Sequence, residues 1–420
     1  MLNYKTQSVI NITGLALGFA AFALAGYWYM WEHSFDTFHP EWGRTYTITT
    51  SGSFKTSTGE DGEINQLHES DAKILISLPF VEKSTRLWNV SWGAIKVGDK
   101  QERLYGYRID SAFFSVFQSH FLEGNVYKIP YNNEYVVITR SAAMKLFGTI
   151  KCIGEALKQD NMSDLKVAAV IEDYPGNTEL MFNILFLSSD DKTKNPRGRS
   201  ICFVTLNSEK NKESFKEIVR NHKSVAIDPY GIDQPQQWKF NLRSLPELHF
   251  SCNHSLNERF RNIEILFWAG FLLLLCALMN NLALFLGQQQ YKLKKNITYI
   301  SLGANQINLF IRYLLCLMAP VLLGYVMALV ILELFYPLFN DFTTIQSGAN
   351  TLTAGNTRSM EFGTLLMESA KYTGVYLATY LLLALFPIIH FIRFSTGGSR
   401  NGSPALIRRI LITGQIEKYT

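Results

Sequence analysis

The sequence is poor in charged residues. Asp, Glu, Lys and Arg make up only 18% of its 420 residues, whereas soluble domains average about 25%. Hydrophobic residues make up 47%, and the net charge is only +5. No basic stripe interleaved with aromatic residues is present, which argues against nucleic-acid binding. The composition indicates an integral membrane protein with a soluble part.

Sequence motifs of catalysis are also lacking. The chain has no Gly-x-x-x-x-Gly-Lys-[Ser/Thr] loop for phosphate, no Gly-x-Ser-x-Gly and no His-Glu-x-x-His. Two pairs of acids, Glu172-Asp173 and Asp190-Asp191, lie in loop-like sequence, and we interpret them as solvated turns rather than acid–base pairs. We therefore predict that the chain is not an enzyme and binds no cofactor itself.

Cysteine is scarce, with five residues that form no framework. Cys276 and Cys316 lie in apolar runs and are interpreted as small hydrophobic residues. Cys152, Cys202 and Cys252 lie in the polar part. Three residues allow at most one bridge among themselves, and the sequence leaves the pairing open.

Metal-ligating residues cluster at one place, His249, Cys252 and His254. These residue types could bind zinc, but no fourth ligand or second pair accompanies them. We predict no metal site and interpret the group as the polar end of a strand near the membrane. His33 and His39 flank the end of an apolar run and are expected to pack at the membrane interface.

Long apolar runs are what the sequence has in abundance. A helix needs about 20 residues to cross a bilayer, and four runs meet that length. We predict four transmembrane helices over residues 1–31, 263–287, 307–336 and 371–393.

The first run has two further features. Ala23-Leu24-Ala25 fits a signal-peptidase site, but the run is about twice the usual length for a signal and aromatic residues follow it, so we predict a retained helix. Gly14 and Gly18 form a Gly-x-x-x-Gly pair that could seat a neighbouring helix.

Residues 32–262 alternate short apolar strands with polar turns and a few helices, which predicts a large α+β domain. Residues 188–200 are predicted to be a loop, and Ser141 is predicted to cap a helix that Gly148 closes. The specific elements predicted are strands over 135–139 and 167–171, helices over 142–147 and 213–222, and a turn over 173–177.

Basic residues fall at the N-terminus, in a turn over residues 288–306 and in the tail over 394–420, whereas the loop over 337–370 has only Arg358 before its end. Under the positive-inside rule, the N-terminus, the turn and the tail face the cytoplasm. The large domain and the loop over 337–370 then lie outside.

Several motifs in this order resemble the MacB-like and FtsX-like permeases of ABC transporters, particularly those of the bacteroidete-type branch, over nearly the whole chain. The motifs lie at residues 10–18, 32–39, 44–46, 136–139, 143–148, 153–154, 170–175 and 245–249. Residues 405–415 resemble the lead-in to the second half of duplicated members, so the resemblance implies that the chain corresponds to one half of that form, as a half-length homologue, a fragment or a remnant.

The resemblance implies an external domain of MacB periplasmic-core type on an FtsX-like permease domain over residues 263–393, in a bacterial inner membrane. It implies a separate ATPase subunit that binds ATP, a second permease copy or homologous half, and a periplasmic adaptor as a further candidate partner. ATPase closure would move the helices and the external domain, so that periplasmic or membrane cargo is exported.

The cytoplasmic turn is the predicted site of ATPase coupling. It carries a lysine group followed by a Leu-Gly-Ala motif like that of the family, at Lys292, Lys294, Lys295, Leu302, Gly303 and Ala304. The family places a glutamate about nine residues before this motif, and none stands here. Charge alone also fits simple positive-inside anchoring.

Two amides, Asn280 and Asn281, lie in the inner third of the second predicted helix. They are expected to bond between helices, and a substrate pathway is the alternative. For the whole chain, the alternative function is a membrane-anchored sensor or scaffold without transport activity. A membrane-anchored hydrolase has no catalytic residues to support it.

Overall fold

The computed structural model describes residues 2–55, 61–89, 93–98, 100–159, 164–188, 198–225, 238–251, 254–301, 306–346 and 362–395. The chain forms two compact units. The first comprises Met1–Met30, Ile263–Phe342 and Met360–Thr420, and the second comprises Trp31–Asn262 and Thr343–Ser359. We call them the membrane unit and the large domain.

Nine α-helices lie in the described residues: α1 (Leu2–His33), α2 (Glu69–Ile76), α3 (Phe113–Val116), α4 (Arg140–Phe147), α5 (Lys212–Asn221), α6 (Leu245–Ser251), α7 (His254–Ser301), α8 (Gln306–Gln346) and α9 (Phe362–Ser395). Within the described residues, three segments are long and apolar enough to cross a bilayer, Thr6–His33, Asn262–Gln288 and Ile307–Asp341. The fourth predicted span lies in α9 and is not among these segments, so the count of four stays a prediction.

The long helices extend past their predicted bounds. α7 continues through Ser301, although a turn was predicted from residue 288. No glycine or proline stands between residues 288 and 301 to stop it. The loop predicted over 337–370 is likewise shorter, because α8 runs to Gln346 and α9 begins at Phe362.

The large domain contains fourteen described strands: β1 (Thr45–Lys55), β2 (Asp61–Ile64), β3 (Leu67–His68), β4 (Val81–Asn89), β5 (Gly93–Val97), β6 (Lys100–Leu104), β7 (Gly106–Ile109), β8 (Phe121–Gly124), β9 (Tyr135–Thr139), β10 (Ala156–Gln159), β11 (Leu165–Ile171), β12 (Ile184–Leu187), β13 (Arg199–Leu206) and β14 (Lys239–Ser244). Their main order is β14-β1-β13-β4-β7-β12-β9-β11-β10-β5-β6, with β2 beside β1, β3 beside β13 and β8 beside β11. Among the described pairs, β9–β11 and β7–β12 are parallel and the others are antiparallel.

Three apolar cores hold this sheet. The central core includes Phe113, Phe117 and Phe203, with Phe117 and Phe203 edge-to-face at 4.9 Å between ring centroids. A second core lies under α4, and a third lies under α2 and α5. Each fully buried aromatic or aliphatic side chain contributes about 1.5–3 kcal/mol, so the predicted α+β domain has the apolar interior that it needs.

The start of α4 differs from the prediction. The helix begins at Arg140, and the hydroxyl of Thr139, not Ser141, accepts from the Ala142 amide at 3.4 Å. Thr139 still has extended backbone, as a capping residue requires, whereas Ser141 is already helical. Gly148 closes the helix with φ 72°, which suits glycine.

Candidate functional site: a histidine held between two glutamates

His249 is fixed by the short helix α6. The Glu247 carboxylate accepts from the Ser244 amide at 2.9 Å and so caps the start of this helix. Leu245 and Leu248 pack into the central core, and the His249 side chain is only 1% exposed. The prediction of a polar strand end is therefore wrong: the apolar residues of this segment recur at helical spacing and bury the helix.

Both ring nitrogens of His249 contact carboxylates. Nε2 lies 2.5 Å from Glu32 Oε2, and Nδ1 lies 2.5 Å from Glu179 Oε1. With both carboxylates ionised, each can only accept, and this arrangement then requires both ring nitrogens to donate, as they do in the imidazolium. Burial lowers the pKa of His249, but the hydrogen bonds with Glu179 and Glu32 outweigh burial, and its pKa is raised above 6.5.

An aromatic ring completes the enclosure of this cation. Phe35 stacks on His249 with ring centroids 3.6 Å apart and planes 10° apart, and Phe35 is itself 1% exposed. A cation over an aromatic face gains about 2 kcal/mol or more when water is excluded. The imidazolium is thus stabilised from its edge by charge and from its face by a ring.

Asp36 joins the segment after α1 to the segment between β11 and β12. Its backbone has φ 56°, a left-handed conformation in which Asp and Asn are enriched among non-glycine residues. This turn directs the carboxylate to the Thr178 hydroxyl and to the Glu179 amide, the latter at 3.1 Å. In return the Asp36 amide donates to the Asn177 carbonyl at 3.0 Å.

Burial shifts the pKa values of Asp36 and of nearby His39. Burial raises the pKa of the Asp36 carboxyl to about 7, although hydrogen bonds from Thr178 and the Glu179 amide oppose the rise. Burial lowers the pKa of His39 to about 4. His39 Nε2 lies 4.0 Å from Asp36 Oδ1, and neither His39 ring nitrogen has a hydrogen-bond partner among the described atoms.

The cluster formed by Glu32, Asp36, Thr178, Glu179 and His249 is named here the junction cluster. Glu32 lies in the last turn of α1, and α7 begins at His254, shortly after His249. The segment that leaves the first span and the segment that enters the second are therefore bonded to each other and to the loop that carries Glu179. A displacement of either segment must move or break these bonds.

The remaining histidine and cysteine predictions have simple outcomes. No group of three or more potential metal ligands occurs in the described part of the chain. Cys252 lies outside the described residues. Cys152 and Cys202 are buried, free and in different cores, so they are not bridged to each other.

The structure describes one of the two acidic pairs, Glu172 and Asp173. Asp173 is not a solvated turn residue: its carboxylate accepts from the Ser141 hydroxyl at 2.6 Å and from the Ser141 amide at 3.0 Å, which stabilises the first turn of α4. Glu172 is half-exposed and lies 3.3 Å from Arg140. Asp190 and Asp191 lie outside the described residues.

The membrane unit contains a buried amide network. Asn281 accepts from Asn11 Nδ2 at 2.8 Å, and its own amide donates to the Tyr380 hydroxyl at 2.8 Å and to the Leu317 carbonyl at 3.3 Å. One side chain thus links all four long helices. Asn280 is exposed and makes only a 3.5 Å contact with Asn11.

The two glycines of the first helix are not equivalent. A Cβ at Gly18 would lie 3.2 Å from the Leu274 Cα, whereas a Cβ at Gly14 would have nothing within 4 Å. The closest approach to α1 comes from elsewhere, since a Cβ at Gly324 in α8 would lie 2.7 Å from the Leu15 Cβ. The sequence motif did not identify Gly324.

The structure describes only some of the predicted coupling residues, and of these only the backbone. Lys292, Lys294 and Lys295 lie in the helical extension of α7, and their side chains are outside the description. Leu302, Gly303 and Ala304 lie outside the described residues. The coupling role therefore stays a prediction.

Sequence reasoning did not identify the junction cluster. Its hydrogen bonds join residues that are far apart in the sequence, 142 residues for Thr178–Asp36 and 217 residues for His249–Glu32. A signal was present, because two of the separate family-like motifs carry these residues: the motif over 32–39 contains Glu32 and Asp36, and the motif over 245–249 contains His249. What was missing was the contact between the motifs.

The family model for a MacB-like periplasmic core domain matches residues 8–222. No curated protein matches the chain. Solved structures show similarity at low identity. A domain of a protein described as a permease from Porphyromonas gingivalis is 19% identical, with a TM-score of 0.40 over 49% of this chain and 91% of that one.

Two further structures are similar. The extracellular domain of the noncanonic ABC-type transporter YknZ from Gram-positive bacteria is 15% identical, with a TM-score of 0.34 over 47% of this chain and 98% of that one. The periplasmic region of MacB from Actinobacillus actinomycetemcomitans is 19% identical, with a TM-score of 0.32 over 46% and 87%. The family match covers about half of the chain. The chain therefore belongs to the family with a MacB-like periplasmic core domain, and it is a membrane protein of the ABC-transporter permease type.

Proposed function

We propose that the chain is the membrane subunit of an ABC-type exporter in a bacterial inner membrane. A separate ATPase hydrolyses ATP, and four membrane helices carry its motion to the periplasmic domain. The domain then moves periplasmic or membrane cargo outward. Two copies, or one copy and a homologous half, would form the working unit.

The junction cluster is the observation that supports this proposal best. Motion can pass from helices to a domain only if the connecting segments resist bending. Here Glu32 and Glu179, both in the large domain, contact His249. Removing one partner of a buried ion pair costs about 3–5 kcal/mol, so the segment of the large domain that follows α1 and the segment that precedes α7 are held together within that domain.

The proposed partner is an ATPase subunit. These 420 residues contain no phosphate-binding loop, so in the proposed exporter a separate ATPase subunit supplies the nucleotide site. In the proposed complex, the helical extension of α7 past Gln288, which carries Lys292, Lys294 and Lys295, is the segment that meets that subunit.

Affinity purification of the intact complex after gentle extraction tests the proposal. An ATPase subunit should copurify, and its turnover in proteoliposomes should fall when Lys292, Lys294 and Lys295 are replaced by Ala. A matched variant replaces three exposed lysines of the large domain, Lys145, Lys151 and Lys158. It removes the same charge and should leave turnover unchanged. No copurifying ATPase, or equal turnover in both variants, would favour a sensor or scaffold.

A further inference from the structure

The membrane unit contains a cavity of about 180 Å³ between α1, α7 and α9. We call it the α1 slot. Its lining includes Phe22, Ala23, Gly26 and Tyr29 from α1, Phe267 from α7 and Tyr376 from α9. None of these side chains carries a formal charge. The cavity takes no part in the junction cluster or in the predicted coupling segment.

Aromatic contacts join the walls of the α1 slot. Tyr29 stacks on Phe267 with ring centroids 4.8 Å apart, and Phe22 meets Tyr376 edge-to-face at 4.9 Å. The space persists because Gly26 has no side chain. A Cβ at Gly26 would meet only the Phe267 ring, at 3.8 Å, so the position would accept a larger side chain directed at the slot.

The shape of the α1 slot suits a chain better than a round molecule. Its lining on α1 extends from Phe22 to Met30, which is about 12 Å along the helix axis. The lining therefore extends along the helix axis rather than around one point. The slot lies about 5–17 Å below His33, the end of the first candidate span. That depth includes the outer acyl region of the leaflet next to the periplasmic domain.

We propose that the α1 slot binds one acyl chain of a phospholipid from the periplasmic leaflet. An empty slot would lose the dispersion contacts of its walls. Water is a poor occupant, because each molecule needs two to four polar partners and the walls are predominantly apolar. At this depth the surrounding solvent is hydrocarbon, and the tyrosines among the lining residues suit the ester and headgroup region of a lipid.

A photoreactive phospholipid tests this site in the full-length chain. The chain is placed in nanodiscs of phosphatidylethanolamine and phosphatidylglycerol, with a trace of phospholipid that carries a diazirine on one acyl chain. After illumination, peptides are mapped by mass spectrometry. Labelling should concentrate on residues 22–30 and 372–376, well above the exposed face of α8 at Val326 and Val330. Equal labelling of both surfaces would show bulk lipid contact only and would overturn the proposal.

Filling variants separate the α1 slot from the rest of the helix. Gly26→Leu should abolish the concentrated labelling, whereas Gly14→Leu adds the same side chain on the same helix, where a Cβ has nothing within 4 Å, and should leave labelling intact. Ala23→Phe fills the slot from a second position and should also abolish the concentrated labelling, which provides the test if the Gly26→Leu variant does not fold. If Ala23→Cys forms a disulfide-linked dimer and the lipid labelling is absent, a second copy covers the slot and lipid binding is refuted.

Discussion

At the scale of single residues, His249 is the side chain whose removal should do the most damage. Its two ring nitrogens contact the carboxylates of Glu32 and Glu179, and its side chain is only 1% exposed. The comparable surface pair, His120 with Glu172, lies at 3.5 Å with the histidine 76% exposed. Burial, not the residue types, makes the two pairs differ.

His249→Ala should therefore lower the free energy of unfolding of the large domain by about 3–5 kcal/mol, because two glutamates lose their shared partner. The matched variant His120→Ala should cost less than about 1 kcal/mol, as exposed pairs do. Hydrogen exchange of the intact chain, followed by mass spectrometry of peptides around residues 32–36 and 177–180, measures both. Equal effects from the two variants would contradict the role of burial.

Asp36 should give the domain a measurable pH dependence. Its carboxyl has a pKa of about 7 in the folded chain against 3.8 in the unfolded chain. Between these values the unfolded chain loses the proton while the folded chain keeps it. Stability from this group is therefore greatest at the acid end and falls as pH rises, by up to about 1.4 kcal/mol per pH unit. Above the folded pKa the contribution is constant.

Asp36→Asn should remove this decline, because the amide stays neutral and Asn also tolerates the left-handed backbone at φ 56°. The His249 contribution should remain in the variant. It is fully present below pH 6.5 and is lost as pH rises through the raised pKa of the ring. Thermal unfolding of both chains across this range gives the difference. Parallel curves would assign the pH dependence to other groups.

At the scale of elements, the two glycines of the Gly-x-x-x-Gly pair in α1 differ in how closely another helix approaches them. Gly18→Ala should destabilise the packing of α1 on α7 by about 1–3 kcal/mol, because the added methyl group meets the Leu274 backbone at 3.2 Å. Gly14→Ala should be neutral or slightly stabilising, since Ala favours helices. Thermal unfolding of the intact chain in detergent compares them, and a loss of similar size in both would remove the distinction.

The elements that sequence predicted best were those with a clear local signal. β9 has the predicted bounds, β11 begins two residues early, and α5 is shifted by one residue, because hydrophobic periodicity is a local property. The cap of α4 was misplaced by two residues, since Thr139 and Ser141 are equally good capping residues and only backbone geometry chooses between them.

The candidate site was beyond sequence reasoning for a different reason. His249 was interpreted as part of a polar strand end because neither a fourth ligand nor a second pair accompanies His249, Cys252 and His254 in the sequence. Its burial depends on Phe35 and on two glutamates from distant segments. Such contacts carry no local pattern, and only the fold brings them together.

At the scale of the whole molecule, rotation about the α7 axis should control coupling to the ATPase. Inserting one Ala between Gln288 and Gln289 turns everything beyond it by about 100°, whereas inserting four returns the direction to within about 40°. ATPase turnover in the purified complex should drop with one Ala and largely recover with four. A turnover that falls steadily with insertion length would indicate that reach, not direction, matters.

The length of α7 also has a mechanical consequence. The span Asn262–Gln288 has 27 residues, about 40 Å of helix, and the thirteen residues from 289 to Ser301 add about 20 Å. Were α7 to pivot as one rod near Gln288, its two arms would stand in a ratio of about two to one. A displacement of the shorter arm would then be doubled at the far end of the longer arm, and the force there would be halved.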